Sequence, residues 1–242
     1  MRFFVAFLFY ALSFYSFSQI IQIEDNVQGK KEARTSIILK NSVQSCFRSI
    51  EINDYFANSS IEQYENEEAI HLYQMEIILQ LPITEIGFLE TGIGFYQNGE
   101  SSNYVDPNSD STFRYSNQFQ YFGLPLKLSF QKSIIKFKSG HISLGISSGF
   151  VPLLLNGYNQ KRAWTTNFGS RNSETLKDRT YLTSYNVLGV LETTIGYHFK
   201  EDYGIHLMGN YNKSLMNSFT KYGPYKRKAF SYGISLGLSK SF

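Results

Sequence analysis

The residues able to move protons or hold charge fall on one side of alternating segments. Glu76, Glu90 and Glu192, the cations Lys40, Arg48 and Lys127, and the imidazoles of His141, His198 and His206 each sit opposite apolar neighbours. A strand sends successive side chains to opposite faces, so these groups belong to the polar face of a sheet whose other face is apolar. In a closed sheet with that polar face inward they must pair, because unpaired charge in a narrow interior is costly. The expected arrangement is an interior ion-pair plug of Glu76, Glu90, Glu192, Lys40, Arg48 and Lys127. A proton-linked or ligand-binding lumen, to which the histidines would contribute, is the alternative.

The clearest element is the last stretch, Ala229 to Phe242. Its even positions are apolar or aromatic except Lys240, and its odd positions are Ala, Ser or Gly. The same alternation predicts strands over about 35–49, 71–81, 85–96, 114–130, 141–153, 181–199 and 203–212. Asn41 interrupts the apolar side of the first, which is the weakest. Pro125 lacks an N–H and predicts a bulge or break in the fourth.

The connections alternate in length. Pro82 to Thr84, the stretch near 131–140, and Lys200 to Asp202 are short, whereas about 50–70, 97–113, 156–180 and 213–228 are long and polar. Outer-membrane barrels have short periplasmic turns and long external loops, and their smallest even strand number is eight. The expected fold is therefore all-β, an eight-stranded antiparallel transmembrane β-barrel over 35–242. Aromatics make up 17% of the 242 residues, which suits girdles at the two membrane interfaces.

Other features bound the class. Cys46 is the single cysteine, so no intramolecular disulfide and no Cys-x-x-Cys pair is available. A net charge of +3 without a basic helix gives no case for nucleic acid as a partner. Arg2, the apolar run Phe3 to Leu12, and small Ser16 and Ser18 before Gln19 predict a signal peptide over 1–18. A polar lead-in over 19–34 would follow. The expected destination is the outer membrane of a Gram-negative cell, after cleavage of that leader.

With these strands in view, the chain resembles the porin-like outer-membrane β-barrel family of Bacteroidetes, the one with PorT-like members. Tyr121-Phe122-Gly123-Leu124-Pro125-Leu126-Lys127-Leu128 is similar to the family's Tyr-Leu-Glu-Ile-Pro-Leu-Leu-Leu run, and Leu144-Gly145 and the aromatic C-terminus add to the likeness. Gly123 stands where the family usually has Glu, so an interior ion pair does not carry over there. The resemblance implies the fold and location. It also implies that Phe242 is an assembly signal recognised by barrel-assembly machinery.

The predicted external loops are charged unevenly. Glu51, Asp54, Glu62, Glu65, Glu67 and Glu68 crowd the first, and Glu100, Asp106 and Asp110 the second. Lys161, Arg162, Arg171, Lys177 and Arg179 lie in the third, and Lys213, Lys221, Lys226, Arg227 and Lys228 in the fourth. Of these, Lys161, Arg162, Arg171, Lys226, Arg227 and Lys228 are candidates for holding lipopolysaccharide phosphates or an acidic protein partner. Trp164, with Tyr158 and Phe168, is a candidate partner-binding knob. A hydrolase would need His beside Ser, or paired carboxylates, near the outer rim. His141 and His198 lie toward the periplasmic rim, His71 has no nucleophile signature beside it, and no G-x-S-x-G or H-E-x-x-H motif occurs.

The expectation is thus a non-enzymatic surface or assembly-interaction scaffold in contact with outer-membrane lipid, with no catalytic residue, cofactor or metal. The alternatives are a narrow channel or small-ligand carrier, and a soluble exported lipocalin-like binder with its apolar faces inward.

Overall fold

A computed structural model describes residues 34–52, 67–105, 111–165, 169, 171–199, 202–220, 222 and 225–242. The expected signal peptide, most of the lead-in and the core of the first acidic loop lie outside these residues.

Eleven strands form in order: β1 Ser36–Ile52, β2 Glu67–Glu68, β3 Ile70–Pro82, β4 Gly87–Val105, β5 Thr112–Gly123, β6 Leu126–Lys136, β7 Gly140–Thr165, β8 Arg171–Leu176, β9 Tyr185–Phe199, β10 Tyr203–Ser214 and β11 Tyr225–Ser241. All pairings are antiparallel. The ring runs β1–β3–β4–(β5 and β6)–β7–β9–β10–β11 and returns to β1 through Ser36↔Ser241 to Ile52↔Tyr225. Counting β5 and β6 as one interrupted strand, this is an eight-stranded closed barrel. Closure pairs each of the eight ring strands on both sides, as a sheet exposed to hydrocarbon requires.

The break falls at Leu124 and Pro125, where the missing N–H was expected to interrupt the ladder. Gly94↔Gly123 and Thr91↔Leu126 keep one register on the β4 side, and Gly123↔Leu153 and Leu126↔Phe150 keep one on the β7 side. The chain therefore passes the proline without a slip.

Each strand alternates as its sequence demands, with the apolar side chains outward. Leu39 stands beside Ile77 and Leu207 beside Leu236 in cross-strand pairs, and all four are exposed. Phe47 stacks on Phe230 and Tyr232 near one end of this belt, and Tyr197 meets Phe199 edge-on at the other. Inside lie Lys40, Gln44, Gln74, Glu76, Lys127 and Glu192. An apolar exterior around a charged interior is the arrangement of a transmembrane barrel. It is the reverse of what a lipocalin-like binder requires.

The connections from Pro82 to Gly87, Lys136 to Gly140 and Phe199 to Tyr203 are short and lie at the same end as Thr35 and Phe242, where Phe242 N–H donates to Thr35 O at 2.9 Å. The opposite end carries the long connections. Two expected loops prove to be largely strand. β4 runs to Val105 and β5 starts at Thr112, so the stretch 97–113 is mostly a hairpin, and β7 continues to Thr165 and pairs with β8. The outward faces of these segments lack an apolar stripe because they rise past the lipid belt, although Tyr158 still packs inward on Phe119. Composition alone therefore does not separate them from loops.

Candidate functional site

The interior is packed with polar side chains at two heights. The lower cluster is assembled by register. Lys40 faces Glu76 across β1 and β3, and Glu90 faces Lys127 across β4 and β6. Glu192 reaches them from β9. Lys40 Nζ lies 2.8 Å from Glu76 Oε1 and also bonds Glu192. Lys127 Nζ lies 2.8 Å from Glu192 Oε2, 3.2 Å from Glu90 Oε2 and 3.6 Å from Glu76 Oε2. Ser147 Oγ donates to Glu192 Oε2 at 3.2 Å, and Gln80 Nε2 to Glu90 Oε1 at 3.2 Å. Both lysine side chains are 1% exposed, so the network is buried within the bore. Such charges persist only when paired and hydrogen-bonded.

Arg48, expected in this plug, is elsewhere. It lies higher on β1, where Arg48 Nη1 is 3.5 Å from Glu100 Oε1. Glu100 also accepts from Arg227 Nε and from Asn117 Nδ2. Arg227 Cζ stands 4.2 Å from the Phe119 ring centroid, and Arg48 Cζ 5.2 Å from that of Tyr115. Tyr158 Oη donates to Asn117 Oδ1 at 3.0 Å.

This upper cluster corrects three expectations. Arg227 was assigned to an external loop as an anion ligand, but it is fully buried, because β11 begins at Tyr225 and its odd residues point inward. Glu100 is buried for the same reason on β4, where even positions face the bore. Tyr158 belongs to an internal cluster with Phe119, Tyr121, Val151 and Leu153 and not to a surface knob. Trp164 is half-buried at the register position facing Phe113, and Phe168 lies outside the described residues. Carrying the parity of Glu90 ten residues up the strand, or that of Ser231 four residues back, identifies Glu100 and Arg227 as interior.

Of the remaining basic candidates, Lys161, Arg171 and Lys228 are exposed and Lys226 is half-buried, while Arg162 stands opposite the buried Tyr115 and pairs with Glu174 at 3.4 Å. Of the first acidic loop, Glu68 is described and pairs with Arg114 at 3.4 Å.

Three imidazoles gather at the end of the short turns. His141 and His198 stack with centroids 4.7 Å apart, and His206 meets His198 edge-on at 5.1 Å. Small residues make this room. A Cβ at Gly196 would lie 2.9 Å from His206 Nδ1 and 3.1 Å from His198 Nε2. His198 Nε2 is 3.0 Å from both Ser143 Oγ and Gln131 Nε2, and His206 Nε2 is 2.8 Å from Ser239 Oγ. His71 is on the outward face, where Nδ1 lies 3.0 Å from Ser45 Oγ. No carboxylate bonds His71 among the described residues.

Among known proteins, no family model matches the chain and no curated protein matches it. Solved structures of low identity do. They include Ail, the attachment invasion locus protein of Yersinia pestis (9% identity, 85% of this chain and 99% of that chain, TM-score 0.32). Neisserial surface protein A aligns at 10% identity over 85% of this chain and 97% of its own, with a TM-score of 0.37. The outer membrane protease OmpT from Escherichia coli aligns at 6% identity over 90% and 99%, with a TM-score of 0.38. All of these scores are below 0.5, so the fold stands on the closed strand register and the inverted burial pattern.

Proposed function

We propose that this chain is a non-enzymatic outer-membrane β-barrel that serves as a surface or assembly-interaction scaffold. The observation that carries the reading is the Lys40–Glu76–Glu192–Lys127–Glu90 network, which crosses the bore with buried, paired charges. A barrel closed in this way works through its outside. The strand extensions β4, β5, β7 and β8 and the long connections would meet an acidic protein partner through Lys161 and Arg171, and the short turns would face the periplasm. The exposed aromatic ring of Phe242 would engage barrel-assembly machinery, and residues 1–18 would be removed on export. The run Tyr121 to Leu128 supports kinship with PorT-like barrels.

The test is conductance of the purified barrel in planar lipid bilayers. The scaffold reading expects a silent membrane. Reproducible ohmic steps from the unmodified protein would replace it with the narrow-channel reading.

A further inference from the structure

Asn41 breaks the apolar outward stripe of β1. It is exposed between Leu39 and Val43, which are exposed too, and in register it stands beside Met75 on β3 and Leu236 on β11. Met75 and Leu236 also face outward and are exposed. The depth follows from β11, where Leu236 lies four residues below Tyr232 and four above Lys240. At about 3.3 Å per residue, that is ~13 Å of strand from either rim of the belt. The amide therefore stands in mid-belt. Among the described residues its side chain makes no hydrogen bond.

An amide facing hydrocarbon without a partner is costly, because no water reaches it there. Its neighbours Leu39, Val43, Met75 and Leu236 are apolar, so the partner must come from outside the barrel. The phosphate and ester groups of lipids lie at the two rims and do not reach this depth. A second copy in the same membrane does. Two copies related by a twofold axis along the membrane normal bring identical residues to identical depth. A primary amide donates through Nδ2 and accepts at Oδ1, so two Asn41 side chains facing across that axis satisfy each other with a pair of N–H···O bonds. Leu39, Val43, Met75 and Leu236 would then pack around the pair.

We propose that the outward face of β11, β1 and β3, centred on Asn41, is the interface of a homodimer within the membrane, held by reciprocal Asn41 amide bonds. The proposal rests on the membrane reading and gives the scaffold one defined partner, a second copy of this chain. Self-complementarity of the amide and its matched depth in the two copies favour that partner over a different membrane protein, which would need a polar group of its own at the same level.

The test is energy transfer between donor- and acceptor-labelled copies of the full-length mature barrel, folded into preformed phosphatidylcholine vesicles over a range of protein-to-lipid ratios. The interface predicts transfer that rises with protein density to a dimer plateau. Asn41→Leu, which takes the amide out of hydrocarbon and so leaves the single barrel folded, should need roughly tenfold more protein per lipid for the same transfer, since two membrane hydrogen bonds are lost. Thr193→Leu, at an exposed outward position on β9, should associate like the parent. Asn41→Cys should give a disulfide-linked dimer on oxidation and Thr193→Cys should not, the native Cys46 being buried in both. Monomers at every density, transfer unchanged in Asn41→Leu, or crosslinking as ready in Thr193→Cys as in Asn41→Cys would overturn the interface. So would capture of a different protein by Asn41→Cys in the native membrane. Failure of the parent to insert or to show a heat-modifiable folded band would instead remove the membrane reading, and this interface with it.

Discussion

Arg227 and Glu100 are 127 positions apart in the chain and bond across the upper bore, with the guanidinium lying over the Phe119 ring. Both are almost wholly inaccessible to solvent. Removing one partner would leave the other buried and charged, which typically costs about 3–5 kcal/mol. Arg227→Met and Glu100→Leu should each destabilise the barrel on that scale in urea unfolding from detergent micelles. The double variant should recover only part of the loss, because it removes both charges of this pair but takes the Glu100 carboxylate away from Arg48. A double variant no more stable than the singles would mean that the pair is not the dominant interaction there.

Lys127 meets three carboxylates, Glu76, Glu90 and Glu192. Lys127→Met should cost about 3–5 kcal/mol in the same unfolding measurement. With Lys40→Met added, the bore keeps its carboxylates and loses both cations of the cluster, and cation-selective conductance should appear in planar bilayers. Silence in the double variant would show that another layer, such as the Tyr96 and Phe119 cluster, closes the bore.

Gly123 ends β5 on its inward face, against Tyr96 and Val151. A Cβ there would lie 2.7 Å from Tyr96 Cε2 and 2.8 Å from Val151 Cγ1, so the Tyr96 ring takes the space a larger residue would need. Gly123→Ala should cost about 1–3 kcal/mol through overpacking, read as a lower unfolding midpoint. Gly123→Glu should fold more poorly still, with less heat-modifiable band in the membrane fraction. A neutral Gly123→Ala would mean that Tyr96 can move aside.

The outward face offers the plainest contrast. Leu207 sits in the middle of the belt beside Leu236 and Ile195, exposed. Leu207→Arg should destabilise the barrel in lipid by about 2–4 kcal/mol, the usual cost of a cation facing mid-bilayer hydrocarbon. Arg162→Ala, which breaks an exposed pair with Glu174, should cost under about 1 kcal/mol. In a soluble barrel both changes would be mild, so unfolding of the two variants in vesicles separates the readings.

Alternation carried most of the fold. The parity of Leu39, Ile77, Leu207 and Leu236 assigned them to one face, and that of Lys40, Glu76, Glu192 and Lys127 to the other. Period two is a local property of the strand, so no partner is needed to read it. Pro125 announced its own break, since a missing N–H is a fact of the residue type. The same parity reaches Glu100 and Arg227, but polar stretches without an apolar face have the composition of loops, and composition hid where β4, β7 and β11 end.

Height was the other hidden quantity. Alternation says that Arg48 points inward, but not how far up the bore its head lies. That depends on how each strand is staggered against the next around a closed, tilted ring, and the stagger accumulates over neighbours far apart in sequence. Only the closed register assigned Lys40 to Glu76 and Glu192 while lifting Arg48 away to Glu100. The sequence by itself determined which side chains turn inward, and the tertiary structure decided which of them meet.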